Sequence, residues 1–211
     1  MIISNKHKFV FIRVPKTGST SSVFYLVDSG ILGAEDNYCY KSLSKITKIV
    51  QNATPETEII KSAEQLTLTK FSHTKYKTIE IDYPEIKNYE CISGIRNPLE
   101  RAVSAALMIM QTDPPYNADE VNYTLNRLLG FKSTFTEHQH KFFREDATLW
   151  PTEKLHEKIS EFISNKNGRI RGKWRCRQRN ANSVLQQISN ENKQKILDFY
   201  NKDYELWENL Q

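Results

Sequence analysis

The sequence contains no run of about 18 apolar residues, so it offers no helix able to span a bilayer. It has three cysteines, Cys39, Cys91 and Cys176, odd in number and without metal-like spacing. These read as reduced thiols in a cytoplasmic setting. There is no internal repeat, no low-complexity tract and no Pro/Gly-rich linker. A single domain over residues 1–211 is therefore expected, large enough to bury a substantial core. The opening residues, "MIISNKHKFVFIRV", lack the long apolar stretch and small-residue cleavage site of a signal peptide. The expectation is a cytoplasmic protein, neither secreted nor membrane-anchored. Without secretion, the acceptor patterns beginning at Asn52 and Asn122 carry no glycosylation signal.

What is present is a moderately polar chain, 38% apolar, with a formal net charge of +5 and a pI near 9.0. That balance favours an anionic partner, whether nucleotide, nucleic acid, acidic glycan or membrane surface, without choosing among them. Lys8 to Val14 is a β-branched and aromatic run with the character of a buried strand. Val23, Phe24, Leu26 and Val27 then recur at helical spacing up to Gly30. Leu43, Ile46, Ile49 and Val50 predict a second helix with Lys41, Lys45 and Lys48 outside. Leu66 to Ser72 alternates weakly as a strand, and Tyr89 to Ile95 does so more clearly. Leu99 to Met110 predicts a helix stopped by Asp113-Pro114-Pro115. Further helices are predicted over 118–129, 153–164 and, as one element, 191–210. The aromatics Phe9, Phe11, Phe142, Phe143, Phe199 and Trp207 read as core. Strands alternating with helices predict an α/β fold with a mainly parallel sheet, whose ligands bind at the carboxyl ends of the strands.

Both informative motifs fall at such ends. The first is "PKTGSTSS", Pro15 to Ser22. A helix N-terminus presents N–H groups and about half a positive charge, which attract phosphate. Gly18 lets the backbone approach an oxygen, Ser19 to Ser22 can add hydroxyl donors, and Lys16 adds a full charge. In the ATP loop, G-x-x-x-x-G-K-[ST], the lysine follows the second glycine. Here Lys16 precedes Gly18, and the loop suits one phosphate-sized group and a neighbour.

The second motif is "RNPLERAVS", Arg96 to Ser104. A magnesium-dependent kinase of this architecture would often place an aspartate at that strand end. This chain places Arg96, whose guanidinium can clamp a phosphate with paired hydrogen bonds. Pro98 suits a first helical turn. Ser104 lies eight residues beyond Arg96, where a helical hydroxyl could face the same anion. Arg101 reads as structural, in a helix-surface ion pair with Glu100 or another acid. The sequence thus offers two phosphate sites and no obvious magnesium carboxylate, an arrangement that fits a nucleotide with separate 5′ and 3′ phosphates.

The two motifs together, in this order and each after a strand, resemble the 5′- and 3′-phosphate motifs of PAPS-dependent sulfotransferases, most of all the small relatives of the carbohydrate sulfotransferases. "SHTKYKTIEI" resembles that family's histidine-bearing segment, and "RNANSV…ILDFYNKDYELWENL" is similar to its C-terminal end. The stretches about 31–65 and 112–135 match loosely. The resemblance implies a P-loop-like three-layer sandwich with a central mainly parallel sheet flanked by helices. It implies that Lys16 contacts the 5′-phosphosulfate near its bridging oxygen. Thr17, Gly18, Ser19, Thr20 and Ser21 would wrap the 5′-phosphate, and Arg96 and Ser104 would hold the 3′-phosphate. The sulfuryl donor would be PAPS (3′-phosphoadenosine 5′-phosphosulfate), the product PAP, and no metal is expected. The acceptor would be a hydroxyl or amine on a small molecule or glycan, anionic ones included. The lack of an anchor departs from the Golgi relatives and points to a bacterial or viral enzyme.

An acceptor hydroxyl needs a base, and histidine's ordinary pKa of about 6.5 suits that task. His73 follows a predicted strand and stands in the family-like "SHT". Glu137 and Glu80 are alternative bases. His7 is expected in solvent. His138 and His140 would share a face on a strand, or diverge if Thr136 and Gln139 form a helix capping box; for metal binding no third ligand has convincing spacing. The run "RIRGKWRCRQRN" places Arg169, Arg171, Lys173, Arg175, Arg177 and Arg179 at alternate positions. It reads as a loop over the cofactor, with Arg177 and Arg179 as candidate ligands, then as an anionic-acceptor patch, a solvated loop, or a nucleic-acid surface using Trp174. The alternatives to a sulfotransferase are an ATP-dependent kinase with a divergent loop, and a non-catalytic module binding anions or nucleic acid.

Overall fold

The computed structural model describes residues 1–32, 36–38, 41–42, 73–111, 115–170 and 182–211. The described chain gathers into two compact units, each built from two stretches of sequence. The first takes residues 1–95 and 142–177, and the second residues 96–141 and 178–211.

The first unit holds the sheet. Its strands are β1 (Ile2–Ser4), β2 (Phe9–Ile12), β3 (Asn37–Tyr38), β4 (Lys41–Ser42), β5 (Glu90–Ile95) and β6 (Thr148–Pro151), in the spatial order β4-β3-β1-β2-β5-β6. β2, β5 and β6 run parallel, with Val10 opposite Cys91 and Ser93 opposite Leu149. β1 pairs antiparallel with β2, so the four principal strands form a mostly parallel open sheet, as the alternation of elements predicts. The β3–β4 hairpin extends it antiparallel beyond β1. Strand periodicity divides the side chains between two faces. Phe9, Phe11, Ile92 and Trp150 pack with Val23, Phe24 and Leu26 of α1 (Ser19–Asp28), and with Ile159, Phe162 and Ile163 of a later helix, Leu155–Asn165. On the opposite face Ile3, Val10, Ile12 and Cys91 pack with Tyr76 and Ile79 of α2 (Tyr76–Asp82), with Ile86 and with Phe142. Helix, sheet and helix make three layers. Each fully buried large apolar side chain contributes about 1.5–3 kcal/mol.

The second unit is helical. α3 (Pro98–Met110) and α4 (Ala118–Gly130) are joined by Val103, Ala106 and Leu107 against Val121, Leu125 and Leu128. With the Leu155–Asn165 helix as α5, the remaining helices are α6 (Asn182–Leu185), α7 (Asn190–Phe199) and α8 (Asn201–Glu208). Val184, Ile196 and Tyr200 close the same core.

Several expectations need correction. The single C-terminal helix expected over 191–210 is two helices, α7 and α8, meeting at Tyr200. That residue is 2% exposed and its hydroxyl donates to the Thr136 carbonyl, so packing fixes the junction. Phe199, expected in the core, is 37% exposed and stacks on His138 instead. His7 is half-buried, with its Nε2 shut away from solvent. The helix expected over Leu43 to Val50 and the strand over Leu66 to Ser72 lie outside the described residues, although Lys41 itself stands in β4. Strands β1 and β6 and helix α2 were not legible by periodicity, because each is short.

Candidate active site

β2 ends at Ile12, and the chain passes through buried Arg13, Val14 and Pro15 into the lysine-first loop. Lys16 takes the left-handed region at φ 67°, as does Gly18 at φ 70°. A non-glycine residue there costs of order 1–3 kcal/mol and persists where surrounding contacts impose it. The imposing contacts are visible on both sides. The Thr17 hydroxyl turns inward and donates to the Val14 carbonyl across 3.0 Å. Gly94, next to the last residue of β5, lies against the loop. A Cβ at that position would stand 2.8 Å from the Thr17 carbonyl oxygen and 3.0 Å from its Oγ1. Only a glycine lets the backbone of the loop settle that close to the strand.

The loop runs into α1 with Gly18 as its N-cap. Gly18 brings no side-chain oxygen to the first turn, and no acidic residue stands in that turn. The first turn itself therefore supplies no anion to the positive end of the helix. Thr17 and Ser19 are buried, while Lys16, Thr20 and Ser21 are half-buried along the helix entrance. The fully buried Arg13 donates from Nη2 to Thr20 Oγ1 across 2.9 Å, adding a cation beneath the first turn.

His73 belongs to the same unit. Its Nδ1 lies 2.8 Å from the backbone carbonyl of Arg13. A carbonyl oxygen can only accept, so Nδ1 carries the proton and Nε2 holds the lone pair. Burial foremost, and the neighbouring Arg13 charge next, lower the imidazole pKa to about 3. The ring is neutral at physiological pH. Glu80 lies on α2, seven residues beyond His73, and Glu137 pairs with Lys141 at 3.3 Å in the second unit.

Arg96 and Ser104 stand in the second unit, Arg96 immediately after β5 and Ser104 buried in α3. The N-terminus of α3 is closed by its own residue: Asn97 accepts from the N–H groups of Leu99 and Glu100. An anion here would meet side chains rather than an open helix end. Arg96 Nε pairs with Glu100 Oε2 at 3.1 Å, so Glu100 takes Arg96 as its partner, not Arg101. Arg101 is structural, as its sequence suggests, but not at the surface. It is 1% exposed and donates from Nη2 to the carbonyls of Phe135 and Glu137.

Sequence reasoning did not find what holds Arg96. The fully buried Gln139 side chain bonds both backbone groups of that residue: the Arg96 N–H donates to Oε1 at 3.0 Å, and Nε2 donates to the Arg96 carbonyl at 2.8 Å. Gln139 and Thr136 thus form no capping box, and Gln139–Lys141 is a single 3₁₀ turn. His140 stands on that turn and His138 just before it, neither on a strand nor on an α-helix, with ring centroids 5.2 Å apart. Asp203 supplies the third metal-ligating group that spacing did not reveal, the three lying within 4.8 Å of one another. Its buried carboxylate already accepts from three donors, Gln139 N, His140 N and His140 Nδ1. Arg177 and Arg179 lie outside the described residues, as do Arg171, Lys173 and Arg175. Of the missed residues, Gly94 had a readable signal, a lone glycine inside an apolar strand. Gln139 and Asp203 had none.

Among the described residues no helix is long and apolar enough to cross a membrane. No curated protein and no solved structure matches the chain. A model of the Sulfotransferase family matches residues 1–107, half of the chain, a stretch that includes the lysine-first loop, His73, β5, Arg96 and Ser104. The sheet, the loop after its second strand and this match lead to one conclusion: the chain belongs to the sulfotransferase family.

Proposed function

We propose that the protein transfers a sulfuryl group from PAPS to a hydroxyl or amine of a carbohydrate-like acceptor. The observation that carries this reading is the lysine-first loop: a left-handed Lys16, followed by a Thr17 that packs on Gly94, at the entrance of a helix whose first turn holds no acid. These residues suit the phosphosulfate end of such a nucleotide. PAPS, when bound, supplies the sulfuryl group and an adenosine bisphosphate leaving group.

Lys16, Gly18, Ser19, Thr20 and Ser21 bind the 5′-phosphate through backbone N–H groups and hydroxyls. Thr17 contributes through its backbone, since its hydroxyl is engaged with Val14. Arg96 and Ser104 hold the 3′-phosphate. His73 Nε2 takes the acceptor's proton as the acceptor oxygen or nitrogen bonds to sulfur and the bond from sulfur to the bridging oxygen breaks. The Lys16 ammonium offsets the negative charge that develops on that oxygen. A base with so low a pKa gains basicity when an anionic ligand offsets the Arg13 and Lys16 charges that, after burial, help to depress it.

Incubation with PAPS and a panel of saccharides carrying free hydroxyls or amines, read by mass spectrometry, tests the reading. It predicts one PAP released per sulfated product. Phosphorylated product from ATP and magnesium, with no sulfated product, would replace it with the kinase reading.

A further inference from the structure

Arg96 is restrained from three directions, and only one of them is its own side chain. Its guanidinium Nε pairs with Glu100. Its backbone N–H and carbonyl are both bound by the Gln139 amide, at 3.0 and 2.8 Å. Only one orientation of that amide satisfies both bonds, with oxygen toward the N–H and nitrogen toward the carbonyl. The amide does for Arg96 what a neighbouring strand would do, at the point where β5 has ended. Gln139 is itself held. Its N–H donates to Asp203 Oδ2 at 2.6 Å, and the other oxygen of that carboxylate binds His140 through N at 3.0 Å and Nδ1 at 2.7 Å. Gln139 and Asp203 are both fully buried. Arg101 fixes the approach to the turn by binding the carbonyls of residues 135 and 137.

A buried carboxylate with three N–H donors thus holds the turn whose buried amide holds the backbone of one arginine. We infer that Gln139, anchored by Asp203, is a positioning residue that fixes Arg96 for recognition of the nucleotide's 3′-phosphate. The inference rests on the assignment of Arg96 to that phosphate. Positioning matters because a guanidinium clamps phosphate through paired bonds of fixed geometry, so a backbone displacement of about 1 Å can cost up to about a hundredfold. Gln139 touches no ligand in this scheme; it acts through Arg96.

The test compares PAP with AMP, which lacks the 3′-phosphate, by titration calorimetry on the wild type, Gln139→Met, Arg96→Ala and the double variant. Methionine keeps the length and volume of glutamine but neither donates nor accepts at the Arg96 backbone. Wild type should bind PAP more tightly than AMP. If it does not, the assignment of Arg96 fails, and this inference with it. Given that preference, Gln139→Met should weaken PAP about ten- to a hundredfold while changing AMP less than about twofold, and the double variant should bind PAP no worse than Arg96→Ala. Equal losses for PAP and AMP, no loss at all, or additive losses would each overturn the positioning role while leaving Arg96 assigned. If Gln139→Met does not fold, the wild-type protein supplies the readout by NMR. The Gln139 side-chain amide signals should move with PAP and not with AMP; signals that respond equally to both would overturn the inference.

Discussion

His73 donates its Nδ1 proton to the backbone carbonyl of Arg13 across 2.8 Å, and so presents Nε2 as its basic atom. Burial, then the Arg13 charge, hold the folded-state pKa at about 3, below the ordinary 6.5. The unfolded state therefore binds the extra proton between those two values. The contribution to stability is complete above pH 6.5 and declines as pH falls toward about 3. The His73 ring signals in an NMR titration of the ligand-free protein should stay flat from about pH 8 to about pH 5. A midpoint near the ordinary value would contradict the environment described here. PAP should raise the pKa by adding negative charge beside Lys16.

His73→Ala should lower turnover about 10²–10⁴-fold, with PAP affinity changed only a few-fold. A normal rate on the natural acceptor would remove His73 as the base and return Glu80 and Glu137 to consideration.

Lys16 needs a substitution that removes its charge without forcing the loop. Asparagine tolerates the left-handed region better than most residues, so Lys16→Asn keeps the φ near 67°. It should lower turnover by about 10²–10³-fold and weaken PAP binding. Unchanged turnover would show that the leaving group is stabilised elsewhere.

Gly94→Ala places a methyl group 2.8 Å from the Thr17 carbonyl oxygen, a backbone atom that cannot swing away. It should cost about 1–3 kcal/mol of stability and weaken PAP binding by displacing the loop. Gly130→Ala is the control: nothing lies within 4 Å of its added methyl, on α4. There, a gain of up to about 1 kcal/mol is expected. Thermal melts of both variants check the pair, and equal effects would deny the close packing of loop on strand.

Arg101→Met should destabilise the fold by about 1–3 kcal/mol, since two half-buried carbonyls, those of Phe135 and Glu137, lose their buried donor. A shift in the melting transition reads this directly. A melt like that of the wild type would show the carbonyls satisfied in another way.

The parts of this protein that sequence reveals are those governed by local periodicity and backbone chemistry. The continuous apolar run through β2, the apolar spacing of α1 and α3, and the turn chemistry of Gly18 are each set within a few residues, and each stands where the sequence puts it. β1 and β6 carry three and four residues, too few for a period, and owe their conformation to the strands beside them. The Tyr200 break between α7 and α8 is fixed by a bond to Thr136, 64 residues away. The same division runs through the candidate site. Lys16, His73 and Arg96 are named by motif. Gln139 and Asp203 meet Arg96 and one another across 43 and 64 residues of chain, and no local pattern encodes such contacts.

In the function we propose, Lys16 and Arg96 serve one nucleotide bearing separate 5′ and 3′ phosphates. Titration calorimetry with PAP, beside ATP and magnesium, tests it without any acceptor. PAP should bind, Arg96→Ala should weaken it at least about tenfold, and ATP with magnesium should not bind. Binding of ATP with magnesium in place of PAP would contradict it.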